Sequence, residues 1–151
     1  MKLTRECLAA LPEGRPANAG VLADSLTEYL ESGQRRAEAE LVRFFELSLD
    51  LFCIANTRGF FCRVNDNFPK VLGYSAEYLT SCQFIEFVHP RDRSKTLAEV
   101  ERLARGEPTI HFRNRYRHRD GHYIHLEWMA RSVLSEGLIY AVARVMRQPA
   151  R

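Results

Sequence analysis

Apolar positions along this chain change their period near residue 50. In residues 21–32, VLADSLTEYLES, Leu22, Leu26, Tyr29 and Leu30 recur at three- and four-residue intervals, the spacing of one helical stripe. Gly33 interrupts, and residues 35–47, RRAEAELVRFFEL, resume the pattern with Ala37, Leu41, Phe44 and Phe45. The pattern predicts an amphipathic helix, bent or broken at Gly33. It has too few neighbours to be stable alone and must pack on something. Residues 1–20 show little periodicity and read as a flexible arm, with at most a short helix near Leu3–Leu11.

From residue 50 the period shortens. Leu51–Ala55 and Phe60–Val64 are short apolar runs separated by Asn56-Thr57-Arg58-Gly59, a hairpin composition. Asp66–Leu72 reads as a short helix with Asp66 as N-cap, Pro69 tolerated in the first turn and Gly73 as the stop. Ser75 can cap a second short helix through Leu79, and Phe84–Val88 is a third short piece. His89-Pro90 opens a longer helix, Arg91–Ala104, with an inner stripe of Leu97, Val100, Leu103 and Ala104, closed by Gly106 and Pro108. In Ile110–His118, Phe112, Asn114, Tyr116 and His118 alternate with His111, Arg113, Arg115 and Arg117. Arg119-Asp120-Gly121 is a turn, Tyr123–Arg131 alternates again, and Leu138–Met146 is apolar on both faces. The order is two strands, several helices, then three strands, which predicts an α+β fold: a five-stranded antiparallel sheet with the connecting helices on one face.

Composition narrows the functional classes. The 151 residues are 46% hydrophobic and 27% charged, values of a globular domain of ordinary size with an extension. The formal charge of +3 is mildly basic and not that of a dedicated nucleic-acid binder. No run of ~18 apolar residues marks a membrane span, and Glu6, Pro12, Glu13 and Gly14 interrupt any signal-peptide pattern. Cys7, Cys53, Cys62 and Cys82 form no CxxC, and no nearby His pair completes a zinc set, so no metal site is expected. Three of the four, Cys53, Cys62 and Cys82, sit in apolar context, and the set reads as reduced, buried thiols of a cytoplasmic protein. No Ser-His-Asp or Cys-His set, phosphate-binding loop or carboxylate pair comes together, so an enzyme is not expected.

The wording within this order resembles a PAS domain over about residues 45–147. Asp50-Leu51-Phe52 with Ile54-Ala55-Asn56 resembles its first strand, and Gly59-Phe60-Phe61-Cys62-Arg63-Val64-Asn65 its second. Asn67-Phe68 and Leu72-Gly73-Tyr74-Ser75 resemble its short helix pair, and Phe87-Val88-His89-Pro90-Arg91-Asp92 the entry to its long helix. Arg115-Tyr116-Arg117 with Asp120-Gly121, then Leu126-Glu127-Trp128, resembles its hairpin, and Ala141-Val142-Ala143-Arg144 its final strand. The resemblance divides the chain into an arm (1–20), a helical extension (21–47), a PAS domain (48–147) and a tail (148–151). It implies a sensory or protein-interaction module of a signal-transduction pathway, two-component signalling included. Such a module binds a small molecule between sheet and long helix, or a partner, and relays through dimer rearrangement.

The resemblance also implies where to look. Ligand-pocket candidates are Ile54, Leu72, Phe84, Phe87, Leu97, Val100, Phe112, Asn114, Tyr116, Leu126 and Trp128, with Asn114 and Tyr116 as the polar pair that could orient a ligand. Leu22, Leu26, Leu30, Leu41, Phe44 and Phe45 are candidates for a homodimer through the N-terminal helix. No cofactor is expected. Haem would need an axial ligand, and Arg91–Ala104 contains no His. Ser81-Cys82-Gln83-Phe84-Ile85-Glu86 resembles the flavin-attacking motif of photosensory relatives, but Gln83 replaces the phosphate-binding Arg, and Tyr116 and Leu126 stand where Asn is expected. The alternative class remains a flavin- or haem-bearing light or redox sensor. The row Arg113, Arg115, Arg117 reads as a solvated face paired with Glu127, or else a surface for an acidic partner. The acid that commonly follows the last strand in this family is missing from Val145-Met146-Arg147, so the usual output linkage is in doubt. The effector is expected in a partner protein or in a domain outside these residues.

Overall fold

A computed structural model describes residues 19–147. The expected arm up to residue 18, its short helix, Cys7 and the tail lie outside the described residues, while Ala19 and Gly20, expected in the arm, open a helix. The chain divides into two compact units, residues 1–43 and 44–151. Helix α1, Ala19–Leu47, begins in the first and ends in the second. It runs unbroken through Gly33, where the sequence pattern predicts a bend or break; Gly lowers helix propensity but keeps its N–H and C=O, so neighbouring residues carry the helix across.

In the second unit the order is β1 (Leu51–Asn56), β2 (Phe61–Val64), α2 (Asn67–Leu72), α3 (Ala76–Ser81), two single 3-10 turns at Phe84–Phe87 and Pro90–Asp92, α4 (Arg93–Ala104), β3 (Thr109–Arg117), β4 (Tyr123–Val133) and β5 (Leu138–Val145). The sheet order is β2-β1-β5-β4-β3, and every pairing is antiparallel. Asn56 shapes the first hairpin, its side-chain oxygen accepting from the N–H groups of Arg58 and Phe60. Ser75 caps α3 by accepting from the Tyr78 N–H, as the sequence predicts. Asp66 does not cap α2; its side chain makes no capping bond, and its backbone N–H donates to Glu46.

The core lies between the sheet and the connecting helices. Phe68, Leu72, Leu79 and Leu126 are wholly buried, with Phe61, Phe84, Phe87 and Trp128 around them. On α4 the inward residues are Thr96, Val100 and Leu103. Leu97 and Ala104, expected on this stripe, are exposed, because each lies one residue past an inward position and so about 100° round the helix. In β3 a bulge between Thr109 and Phe112 puts both on the inner side, leaves Ile110 exposed and holds His111 at φ 53°.

β3 is an edge strand, yet its edge is occupied. The His89 N–H donates to the Arg115 carbonyl, the Arg115 N–H donates to the Asp92 carboxylate, and Lys95 Nζ donates to the Arg113 carbonyl. Segment 89–95 thereby caps a row of groups that would otherwise template another strand. The three arginines thus have separate partners: Arg113 reaches Glu127 (3.0 Å), Arg115 is clamped by Asp92, and Arg117 reaches the Tyr74 hydroxyl (3.4 Å). That replaces the expected pairing of the whole row with Glu127. Cys53 is buried, Cys82 is half-buried, and Cys62 is exposed rather than buried because it faces outward from the other edge strand.

Asn65 joins the last turn of α1 to the sheet. Its side-chain NH2 donates to the carbonyls of Phe45 and Asp50, both at 3.0 Å, and its side-chain oxygen accepts from the Phe52 N–H. Phe44 and Phe45 place their rings 6.2 Å from Phe52, and Arg63 lies over the Phe45 ring.

Candidate functional site

A cavity of about 70 Å³ lies between α4 and the inner face of the sheet. Several waters or one small ligand would fill it. Of the sequence candidates, Phe84, Val100, Phe112, Asn114, Tyr116 and Trp128 line it. Ile54 does not, since strand parity turns it to the outer face, opposite Tyr140 and Arg63. Leu72 and Leu126 are consumed by the packed core, Phe87 packs against Tyr74 and Tyr78, and Leu97 is exposed. Sequence reasoning missed Cys53, Thr96, Glu99, Leu103 and Ile139, all of which line the cavity. Thr96 and Glu99 escape an apolar-stripe search by being polar, although they share a helix face with the inward Val100 and Leu103.

Polar groups here form a relay. Trp128 Nε1 donates to Asn114 Oδ1 (2.8 Å), Asn114 Nδ2 donates to Thr96 Oγ1 (3.1 Å), and the Thr96 hydroxyl donates to the Asp92 carbonyl (2.7 Å). Both ends of the Asn114 carboxamide are therefore committed to protein partners. Nearby, the Thr109 hydroxyl donates to Glu99 (2.8 Å), which also receives Arg102 (2.9 Å). Tyr116 is 3% exposed and lines the cavity. Burial pushes its phenol well above the usual range, so it stays neutral and can donate or accept. Burial likewise pushes the Cys53 thiol up, which makes it an inert wall rather than a nucleophile. The polar pair expected from sequence thus reduces to one group, Tyr116.

Beside the cavity, Arg115 grips Asp92 by two side-chain bonds of 2.8 Å and one backbone bond of 2.9 Å. These bonds hold the Asp92 carboxyl down at about 2. His89 Nδ1 accepts from the Arg91 N–H and caps the 3-10 turn. Its pKa is lowered, first by desolvation and then by Arg115. Cys82 does not line the cavity.

On α1, Leu26, Leu30, Leu41 and Phe44 are exposed, while Leu22 and Phe45 are half-buried. On the outer face of the sheet Met129 and Tyr140 are also exposed. No helix among the described residues is long and apolar enough to cross a membrane.

Comparison with known proteins agrees with this architecture. The family model described as PAS fold matches residues 61–145. A domain of a sensory box sensor histidine kinase/response regulator from Geobacter sulfurreducens is 23% identical, with a TM-score of 0.59 over 77% of this chain and 95% of that one. The PAS domain of an HTR-like protein from Haloarcula marismortui is 20% identical, with a TM-score of 0.63 over 79% and 99%. The N-terminal domain of a diguanylate cyclase with a PAS/PAC sensor from Marinobacter aquaeolei is 17% identical, with a TM-score of 0.56 over 64% and 94%. No curated protein matches the sequence.

Proposed function

Because this chain belongs to the PAS-fold family, we propose that it is a cytoplasmic signalling sensor that takes a small, mostly apolar ligand between α4 and the sheet. The observation that carries this reading is the cavity itself, walled by apolar side chains with the polar Tyr116 among them. A ligand with one hydrogen-bonding group would present it to Tyr116, while its apolar body would meet Phe84, Val100, Phe112 and Trp128. The size of the cavity favours something of a few heavy atoms over a flavin or a haem. Signal then passes to a second copy of the chain through the exposed stripe of α1, and onward to a partner protein or effector domain. A ligand shifts such an equilibrium only by its differential affinity for the two arrangements.

Trp128 is the single tryptophan and lines the cavity, so its emission reports occupancy. Titration with small phenols and alcohols is expected to shift that emission saturably. Ala141→Leu, which fills the cavity, should abolish the shift. Tyr116→Phe should weaken uptake of ligands that carry a hydrogen-bonding group more than uptake of apolar ligands of the same size. An unchanged response in Ala141→Leu would move the ligand site elsewhere.

A further inference from the structure

The tip of the β3–β4 hairpin brings together three groups that neither the cavity nor the α1 stripe uses. His118, Asp120 and His122 each place a potential ligand atom within 4.8 Å of the others. His118 Nδ1 lies 3.0 Å from Asp120 Oδ1, and His122 Nδ1 is hydrogen-bonded to the same oxygen. The two imidazoles are stacked, with centroids 4.5 Å apart and planes 21° from parallel. In a tetrahedral site with metal–ligand bonds of about 2.0–2.1 Å, ligand atoms stand roughly 3.3 Å from one another. The donors therefore stand near the spacing an ion needs, and the two rings must turn out of their stack to aim at it.

The turn explains why these side chains converge. The His118 N–H donates to the His122 carbonyl (2.7 Å) and closes the hairpin, while Gly121 takes φ +104° between them. The Asp120 N–H donates to His118 Nδ1 (3.2 Å), which requires that nitrogen to carry a lone pair, the state that ligates metal. The His122 N–H holds the Asp120 carboxyl below its usual range. The tip is also anchored. The Arg119 N–H donates to the Leu72 carbonyl (2.9 Å), and the His118 ring sits so near Gly73 that a Cβ there would come within 2.9 Å of it.

We propose that His118, Asp120 and His122 form a site for a divalent transition-metal ion of borderline softness, with Zn²⁺ as its prototype. Two imidazole nitrogens and one carboxylate oxygen are donors such an ion accepts, and they leave at least one position for water or a partner's donor. The ion displaces whichever proton the ligating imidazole nitrogens carry, and that proton leaves to solvent. His122 and Asp120 are more than half exposed, so the ion enters without local unfolding. Arg117 and Arg119 lie beside the site, and Arg117 is occupied by Tyr74. Their charge opposes the ion, so binding is moderate rather than tight. An occupied site ties the end of β3, the start of β4 and, through His118, the C-terminus of α2 into one unit.

Calorimetric titration of the chelator-stripped full chain with Zn²⁺ tests this. One ion per chain is expected, and His122→Gln and Asp120→Asn should each weaken binding at least about tenfold. Both variants keep a polar side chain at an exposed position, and either alone reads the site if the other misfolds. Cys62→Ser and His111→Gln remove exposed donors elsewhere and should bind like the parent. Co²⁺ should give a low-coordinate visible spectrum that His122→Gln loses. The site is refuted if the parent takes up no zinc, if both site variants bind like the parent, or if uptake disappears with Cys62→Ser.

Discussion

Arg115 directs three donors at the Asp92 carboxylate, and Lys95 Nζ lies 3.6 Å away. Asp92 is 5% exposed, so neither charge can be removed cheaply. Asp92→Asn is expected to cost about 2–3 kcal/mol in chemical denaturation at neutral pH, since it leaves the guanidinium half-buried without its counter-charge. The sign of the pH effect follows from the lowered pKa. A carboxyl moved from 3.8 to about 2 contributes its stabilisation above the ordinary carboxylate range and loses it as pH falls through about 2. The parent should therefore lose roughly 2 kcal/mol relative to Asp92→Asn between pH 5 and pH 2. A constant difference between the two proteins over that interval would remove the ion pair from the account. None of this is readable in His89-Pro90-Arg91-Asp92 alone, where Asp92 looks like helix-start decoration. Its partner is 23 residues away on a strand whose arginines seem, by alternation, to share one fate.

At the scale of elements, period decides what can be foreseen. The five strands and their order are legible because alternation and turn residues mark both their length and their ends. The α4 stripe is legible in type but off by one residue, since Thr96 takes the inward place that hydrophobicity assigns to Leu97. Helix α1 is legible as two pieces and folds as one, because Gly33 weakens the helix without removing a hydrogen bond. A Cβ at Gly33 meets nothing within 4 Å. Gly33→Ala should therefore stabilise the middle of α1 by about 1 kcal/mol and slow amide exchange there roughly fivefold. Unchanged exchange would mean that the helix is held by packing and not by its own propensity.

At the scale of the whole molecule, α1 leaves Leu26, Leu30, Leu41 and Phe44 exposed. Each leucine fully buried in an interface is worth about 1.5–3 kcal/mol. On the proposed pairing of two copies through α1, a double substitution, Leu30→Glu with Leu41→Glu, should leave the chain monomeric in sedimentation at micromolar concentration. Equal self-association of parent and variant would rule out this stripe as the interface. The cavity was only partly legible. Its aromatic wall follows from strand parity, but its polar content depends on which side chains have already found partners, and that is set by three-dimensional pairing. The same limit hid the hairpin cluster, because His118 and His122 flank a turn that reads, correctly, as a turn.

Asn65 gives the connection between α1 and the sheet a particular mechanical character. The two hydrogens of its NH2 go to carbonyls on either side of the short connector, Phe45 before it and Asp50 after it. The connector therefore turns about a fixed pivot. A swing of the last turn of α1 that keeps both bonds reaches β1 as rotation about one amide rather than as a slide along the strand. Such a swing would keep strand register while changing orientation.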